Sequence, residues 1–266
     1  MEKHNFKKKY GQNWLHDKNV LEKIVKVVNI TKDDLVIEIG PGSGNLTKYL
    51  IKEAGQVIAY EIDKSLKGDL ELIQVDNLEV IFDDFLKRDI EQDIRGNYKN
   101  IYVVANLPYY ITTPIITKLI ESNLPITAMV LMMQKEVGER LLAKPGNKEY
   151  NSLTVYLNYY FNIKKAINVS RNSFYPVPNV DSSVLLLERK GNTLELKDKD
   201  LFFKLIRDAF QFKRKNIKNN LKSYNIDIVD EMLNKSGLSL TSRAEEISLE
   251  VFVDMARALQ EDKSVL

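Results

Sequence analysis

Short, almost wholly apolar runs alternate with segments of helical spacing along the first half of the chain. Five of these runs have the length and composition of buried strands: 35–39, 56–60, 78–82, 101–105 and 126–133. Apolar residues recur at helical spacing in three neighbouring segments: 20–30, 46–53 and 136–142. Apolar strands separated by helices are typical of a parallel sheet that is covered on both faces. The pattern therefore predicts an α/β fold with a Rossmann-like, mostly parallel sheet.

The pattern changes in the second half of the chain. Runs at 163–169 and 183–188 resemble strands, and we expect them to close the sheet with antiparallel pairing. Beyond about Leu194 only amphipathic helical stretches remain: 201–210, 226–233 and 249–259. We therefore predict two domains, an α/β domain over 1–191 and a small all-α domain over 192–266.

Polar or glycine-rich residues follow four of the predicted strands. Gly40 and Gly42 follow the first strand, and Glu61, Asp84 and Asn106 follow the next ones. Ligands of such sheets bind at the carboxyl ends of the strands. Glycines allow the backbone to approach a ligand closely, and an acid about 20 residues further on commonly holds ribose hydroxyls. Asp84 could accept a hydrogen bond from an adenine amino group.

The glycine loop does not have the spacing of a dinucleotide site. That fingerprint requires a third glycine where Asn45 stands, and the chain has no phosphate-binding loop with a Gly-Lys-Ser/Thr ending. The run Glu38–Gly44 is instead similar to the first motif of S-adenosylmethionine-dependent methyltransferases. A glycine-rich turn without a ligand is the alternative interpretation.

The segment Asn106–Tyr109 suits an exocyclic amino group on a planar base. The Asn106 amide oxygen and a neighbouring carbonyl at Leu107 can accept hydrogen bonds from its two N–H groups. Pro108 stiffens the turn, and Tyr109 offers a ring on which a base can stack. The alternative is an ordinary turn after a strand.

Composition narrows the chemistry further. The chain has no cysteine and two histidines, His4 and His16, which argues against disulfides, thiolate catalysis, histidine metal clusters and a Ser-His-Asp triad. Group transfer by positioning, without a metal, fits these limits. Since no window is apolar enough for a membrane span and the N-terminus lacks a secretory signal, we expect a cytoplasmic protein.

The net charge of +2 conceals two basic clusters. One lies at the start of the chain, at Lys3, Lys7, Lys8 and Lys9. The other contains the candidate RNA-binding residues Lys213, Arg214, Lys215 and Lys218, with Lys222 close by. Such clusters indicate contact with a polyanion, and solvated helix faces are the alternative interpretation.

Four motifs in order resemble those of the ribosomal RNA adenine dimethyltransferases: 6–17, 38–44, 106–114 and 174–183. Segments 210–215 and 243–248 also match the helical domain of that family, so the resemblance covers nearly the whole chain. Leu107, Pro114 and the run Val180-Asp181-Ser182 favour the group that dimethylates two adjacent adenines near the 3′ end of small-subunit rRNA.

The resemblance implies a role for each matching residue. It implies binding of S-adenosylmethionine by Gln12, Asn13, Leu15, Gly40, Gly42, Glu61, Asp84 and Asn106. It implies catalysis by Asn106, Leu107, Pro108, Tyr109 and Phe174, with Phe174 as a second stacking wall for a flipped base. For Leu15, Trp14 and Phe174 the alternative is a packing role in the core.

The resemblance implies an enzyme that methylates small-subunit rRNA in a pre-ribosomal particle. We expect it to act as a monomer. One alternative is a resistance-type methyltransferase that modifies an adenine of large-subunit rRNA. Another is a non-catalytic RNA-binding or ribosome-assembly factor. A third, a methyltransferase of proteins or small molecules, would have no need of the basic clusters.

Overall fold

The structure is a computed structural model that describes residues 13–107, 111–191 and 194–262. Its strands in these ranges are β1 Trp14–Leu15, β2 Leu35–Ile39, β3 Gln56–Tyr60, β4 Leu78–Ile81, β5 Ile101–Asn106, β6 Ile126–Gln134, β7 Phe161–Val169, β8 Phe174–Tyr175 and β9 Ser182–Arg189. Seven of the described strands form one sheet in the order β4-β3-β2-β5-β6-β9-β7.

Helices connect and cover the strands. In the described ranges they are α1 Lys18–Val25, α2 Thr47–Glu53, α3 Lys67–Glu71, α4 Ile90–Asp93, α5 Thr112–Glu121, α6 Lys135–Leu141, α7 Ser152–Tyr160, α8 Lys199–Ala209, α9 Ile217–Asn220, α10 Ile226–Lys235 and α11 Leu249–Glu261. Short 3-10 turns lie at Lys64–Leu66, Phe85–Lys87, Arg171–Ser173 and Ala244–Glu246. None of the described helices is long and apolar enough to span a bilayer.

The sheet confirms the predicted fold class. Strands β4, β3, β2, β5 and β6 pair in parallel, and β9 pairs antiparallel with β6. The chain runs from β2 through β3 to β4 on one side, and it then returns to β5 on the other side of β2. Strand order reverses beside β2, and such a reversal opens a crevice at the carboxyl ends of the strands.

One face of the sheet packs against the N-terminal helix. Val36, Val57 and Val104 lie on this face and are fully buried with Leu21 and Ile24 of α1. The helix begins where the Asp17 carboxylate accepts hydrogen bonds from two backbone N–H groups of the first turn, the shorter at 3.0 Å. It ends at Val25, earlier than the predicted residue 30.

The short strands β1 and β8 form a separate two-stranded antiparallel sheet that the sequence pattern did not predict. Leu15 lies opposite Phe174, and Trp14 lies opposite Tyr175. Leu15 and Phe174 are buried in the same core as α1. Because side chains alternate along a strand, the next pair, Trp14 and Tyr175, lies on the other face.

The described chain divides into two compact units. One contains residues 13–138 and 163–189, and the other contains 139–162 and 190–262. The sequence predicted a single boundary at 191, whereas the structure groups the earlier segment 139–162 with the helical unit. Its helix α7 carries Tyr159, whose ring centroid lies 4.9 Å from that of Phe202 in α8. The predicted helical stretches appear in the same unit as α8, α10 and α11.

Candidate active site

The carboxyl ends of four parallel strands bring the predicted ligand-binding residues together. Ile39 at the end of β2 lies opposite Tyr60 of β3 and Ala105 of β5. The residues that follow these strands therefore emerge side by side at one edge of the sheet. A cleft at this edge is lined by Asn13, Gly40, Gly42, Glu61, Asp84 and Asn106, together with apolar side chains.

The glycine loop is shaped by a close approach of Trp14. Gly42 has a φ of +60°, and a Cβ atom built on it would lie 3.0 Å from Nε1 of Trp14. Both the backbone conformation and the space therefore favour glycine at this position. The Gly42 N–H donates a hydrogen bond of 3.0 Å to Oε2 of Glu61, which joins the loop to the end of β3.

Glu61 is a buried carboxylate held in place by two backbone donors. Its Oε2 accepts from Gly42, and its Oε1 accepts from the Asp63 N–H at 2.8 Å. Burial raises the pKa of Glu61, and these hydrogen bonds oppose that shift. Since each carboxylate oxygen has a further lone pair, Glu61 can still accept hydrogen bonds from two hydroxyl groups.

Asp84 caps the 3-10 turn Phe85–Lys87. Its Oδ1 accepts a hydrogen bond of 3.0 Å from the Leu86 N–H, and its Oδ2 lies 3.8 Å from Nζ of Lys87. The rings of Phe85 and Tyr60 meet edge to face with centroids 5.2 Å apart, and both residues line the cleft. The carboxylate thus stands beside an apolar wall that suits a planar base.

A polar network behind this wall holds the segment that carries Asp84. The Tyr60 hydroxyl and the Arg88 Nε each donate a hydrogen bond of 3.1 Å to Oδ2 of Asp93, and Arg88 makes a second contact with the same carboxylate. Lys118 donates to the carbonyls of Leu86 and Arg88, at 2.9 and 2.6 Å. The sequence pattern did not mark this network, since Asp93 and Tyr60 are 33 residues apart along the chain.

Asn106 is the last residue of β5, and its side-chain amide is anchored on one side. Its Nδ2 donates a hydrogen bond of 3.2 Å to the backbone carbonyl of Asn13. The Leu107 N–H donates to the carbonyl of Met132 at 3.0 Å, which fixes the backbone just after the strand. An amide that donates through its nitrogen retains its oxygen as an acceptor. The predicted site residues Gln12, Pro108 and Tyr109 lie outside the described residues.

Asn45 occupies the position of the missing third glycine and has a structural role. Its Nδ2 donates a hydrogen bond of 2.9 Å to the carbonyl of Leu15 and thereby joins β1 to the glycine loop. The Leu15 side chain is buried in the core and does not line the main cleft. Trp14 does line that cleft, although sequence reasoning treated it as a possible core residue. Only the long-range pairing of β1 reveals its place.

Phe174 does not offer a stacking face in this structure. Its side chain is only 1% exposed and packs in the core with Leu15, Leu21 and Ile24. The prediction of a second stacking wall at this position is corrected, because a base could reach the ring only if the core opened. The alternative interpretation, a packing role in the core, agrees with the burial of Phe174.

We expect the substitution Phe174→Ala to act on stability. Loss of a buried phenylalanine costs about 3–5 kcal/mol of unfolding free energy. Urea unfolding monitored by circular dichroism measures this loss. Val177→Ala, at a side chain that is 55% exposed, is the matched control and should change stability by less than about 0.5 kcal/mol. Equal stability of Phe174→Ala and the wild type would refute the packing role.

Glu38 is a buried carboxylate next to the glycine loop that the sequence analysis did not assign to the site. It is 1% exposed, and its Oε2 has no hydrogen-bond partner among the described residues. It borders a small cavity together with Gly42 and Asn106. Burial raises the pKa of Glu38 to about 8, the Thr47 hydroxyl opposes this shift, and the Glu61 carboxylate adds to it.

This shift predicts a pH dependence of stability in the absence of ligand. Between the ordinary value of 4.5 and about 8 the folded chain retains a proton that the unfolded chain has released, so this group lowers stability as the pH rises. Glu38→Gln removes the titration. The stability of Glu38→Gln relative to the wild type, measured by urea unfolding, should therefore increase as the pH rises through this range. A difference that stays constant from pH 4.5 to about 8 would contradict this prediction.

The lining of the cleft fits a cationic nucleoside better than a dinucleotide. Glu61, Asp83 and Asp84 supply carboxylates, and no Lys or Arg side chain is among the described residues that line it. A pyrophosphate would be repelled there, whereas a sulfonium or ammonium group would be attracted. The unpartnered Glu38 oxygen and the close fit around Gly42 are consistent with S-adenosylmethionine. No group of three or more potential metal ligands occurs in the described ranges.

The predicted RNA-binding residues lie in the helical unit. Lys213, Arg214, Lys215 and Lys218 are all exposed and follow helix α8. The first basic cluster, at residues 3–9, lies outside the described residues.

Comparison with known proteins gives consistent results at the levels of sequence and structure. A family model described as ribosomal RNA adenine dimethylase matches residues 3–261. The ribosomal RNA small subunit methyltransferase A of Lactococcus lactis is 44% identical and covers 96% of this chain and 90% of its own length. A dimethyladenosine transferase from Plasmodium falciparum has a similar structure, with a TM-score of 0.73, 28% identity and coverage of 91% of this chain and 95% of that chain. The 23S rRNA methyltransferase ErmE has a TM-score of 0.71 and 27% identity, covering 94% of this chain and 100% of that chain.

Proposed function

We propose a function for the cleft on the basis that the chain belongs to the ribosomal RNA adenine dimethylase family. It is a methyltransferase that dimethylates adenine N6 in small-subunit rRNA with a methyl donor of the S-adenosylmethionine type. We propose that the donor is S-adenosylmethionine itself and that the targets are two adjacent adenines near the 3′ end, within a pre-ribosomal particle. We expect the enzyme to act in the cytoplasm as a monomer.

Four residues would hold the methyl donor. Glu61 would accept hydrogen bonds from the ribose hydroxyls, because both of its oxygens are fixed by backbone donors and have lone pairs left. Asp84 would accept from the adenine amino group beside the Phe85 wall. Gly40 and Gly42 would let the loop approach the ligand closely. When bound, S-adenosylmethionine supplies an electrophilic methyl group on a sulfonium cation.

Asn106 would position the amino group that is methylated. Its amide oxygen accepts one N6 hydrogen, while its amide nitrogen stays bound to the Asn13 carbonyl. The backbone carbonyl of Leu107 would accept the other hydrogen. Two acceptors draw the amino hydrogens to one side and direct the nitrogen lone pair away from them. This anchored amide is the observation that carries the proposal.

Catalysis by alignment requires no side chain with a tuned pKa. Alignment of two reacting groups can contribute roughly 7–11 kcal/mol. The target base must leave its stack at a cost of a few kcal/mol, and stacking on an aromatic side chain can return about 1–3 kcal/mol per contact. We propose Tyr109 for this contact, on the basis of its position three residues after Asn106.

The exposed basic residues of the helical unit support an RNA substrate. Lys213, Arg214, Lys215 and Lys218 make no ion pair with a carboxylate in the described part of the chain. Unpaired cations are available to neutralise phosphates. A methyltransferase of small molecules would have no need of such a surface, so strong salt dependence of substrate binding would favour RNA.

Mapping of the methylated positions tests the choice of small-subunit rRNA as the substrate. The structural likeness to ErmE makes large-subunit rRNA the competing substrate. Methylation-sensitive primer extension on both rRNAs, in cells that lack the gene and in cells that carry it, distinguishes them. We expect stops at adjacent adenines near the 3′ end of small-subunit rRNA, and stops confined to large-subunit rRNA would overturn the proposal. A purely non-catalytic assembly factor would produce no stops in either rRNA.

A further inference from the structure

The turn between α8 and α9 presents one aromatic ring to the core and another to solvent. Phe210 is half-buried, and its ring centroid lies 6.2 Å from that of Tyr150 and 6.0 Å from that of Phe252. Phe212, two residues later, is 56% exposed. A single exposed apolar side chain is common on protein surfaces, so the groups around Phe212 decide whether it marks a binding site.

The backbone carbonyl of Phe212 accepts two hydrogen bonds. The buried Asn220 donates hydrogen bonds from Nδ2 to the carbonyls of Ala209, at 2.6 Å, and of Phe212, at 3.4 Å. The Lys215 N–H donates to the same Phe212 carbonyl at 2.8 Å. A side chain on a fixed backbone loses less conformational entropy when it binds a partner.

The chain segment around Phe212 carries basic residues and no acidic ones. Residues 209–226 contain five basic residues, Lys213, Arg214, Lys215, Lys218 and Lys222, and no aspartate or glutamate. None of the five makes an ion pair with a described residue, whereas Lys204 and Lys235 of the neighbouring helices each pair with a carboxylate. An aromatic ring among unpaired cations matches the chemistry of single-stranded nucleic acid, which offers base faces and phosphates together.

We propose that Phe212 stacks on an unpaired base of the rRNA while the cations around it contact the flanking phosphates. The base must be unpaired, because the base faces of an A-form helix are stacked on one another and are not accessible to a side chain. This inference rests on the proposed function in that it takes the substrate to be RNA. It adds a second contact, made by the helical unit, that recognises an unpaired base in a bulge or a loop.

Stacking and charge have different signatures in a salt titration. The affinity of each variant for unmethylated small-subunit particles is measured over a range of salt concentrations. Phe212→Ala should weaken binding by about 5- to 150-fold at every salt concentration and leave the slope of log affinity against log salt unchanged. Lys213→Gln should instead reduce that slope by about 0.7–0.9. Phe212→Tyr retains the ring and should bind like the wild type. Leu72→Ala, at an exposed apolar residue of the α/β unit, is the matched control and should also bind like the wild type.

A second measurement identifies the partner as an unpaired base. Binding is compared for a 12-nucleotide oligoadenylate strand and for an RNA duplex of about the same length. Phe212→Ala should weaken binding of the single strand much more than that of the duplex. Equal losses of binding on both RNAs, or no loss on either, would overturn the inference. It would also be overturned if the wild type self-associates and Phe212→Ala abolishes that self-association, because Phe212 would then contact a second copy of the chain. If the wild type methylates rRNA and Phe212→Ala binds particles normally, this inference fails and the proposed function stands. If the wild type does not methylate rRNA, the proposed function itself fails.

Discussion

The substitution Asn106→Ala is expected to reduce the rate of methyl transfer by at least about 10²-fold, the scale of losing one fixed hydrogen-bonding group that acts in a transition state. The alanine variant lacks the amide oxygen that holds the N6 hydrogen, and it also lacks the amide nitrogen that binds the Asn13 carbonyl. Single-turnover transfer of a labelled methyl group to small-subunit particles measures this rate.

The affinity of the cofactor separates a local effect from a general one. Because Glu61 and Asp84 remain in place, we expect Asn106→Ala to bind S-adenosylmethionine within a few-fold of the wild type. Asn123→Ala, an exposed asparagine of the same unit, is the matched control and should transfer methyl groups normally. Near-normal transfer by Asn106→Ala would remove the central residue from the proposed mechanism.

The substitution Glu61→Ala is expected to have the second largest effect, on cofactor binding. The loss of two hydrogen bonds to a charged group, each worth about 1.5–3 kcal/mol, corresponds to roughly a 10²- to 10⁴-fold increase in Kd. The variant also releases the N–H groups of Gly42 and Asp63, which Glu61 now holds. Isothermal titration with S-adenosylmethionine measures the change.

Two further variants test whether the Glu61 effect is specific. Glu61→Gln retains one acceptor oxygen and should lie between the wild type and Glu61→Ala. Glu71→Ala removes an exposed glutamate that pairs with Lys67, and it should leave the Kd unchanged. A change of less than about three-fold for Glu61→Ala, with the fold intact by circular dichroism, would exclude the ribose-binding role.

The strands could be predicted from the local apolar pattern. The grouping of the polar residues that follow them could be predicted from the rule that ligands bind at the carboxyl ends of parallel strands. The runs 35–39 and 56–60 are apolar apart from Glu38 and Gln56, and the structure has strands with the same bounds. The carboxyl ends of parallel strands meet at one edge, so residues that are far apart in the chain, such as Gly40 and Asn106, could be expected to line one cleft.

The features that sequence reasoning missed depend on contacts between distant parts of the chain. Strand β1 pairs with β8 across about 160 residues, and that pairing alone decides that Phe174 is buried and Tyr175 exposed. Helix α7 has apolar or aromatic residues at most of its positions, so the sequence shows no clear apolar stripe there. Glu38 was part of a recognised motif, but only the structure shows that it is buried and that one of its carboxylate oxygens has no hydrogen-bond partner among the described residues.

The small net charge conceals two regions of opposite local charge. The described lining of the cleft is acidic, whereas the segment 209–226 is basic and has no acid. An acidic cleft favours a cationic methyl donor, and a basic surface favours a polyanionic substrate. The total of +2 therefore says little about either partner, and the distribution of charge carries the information.

Mass spectrometry of nucleosides from treated particles tests the central claim most directly. Small-subunit particles from cells that lack the gene are incubated with the protein and isotopically labelled S-adenosylmethionine, and their rRNA is digested to nucleosides. We predict labelled N6,N6-dimethyladenosine from the wild-type reaction and almost none from Asn106→Ala. Label found only in large-subunit rRNA in a parallel reaction, or no labelled adenosine with a wild type that binds the cofactor, would contradict the account.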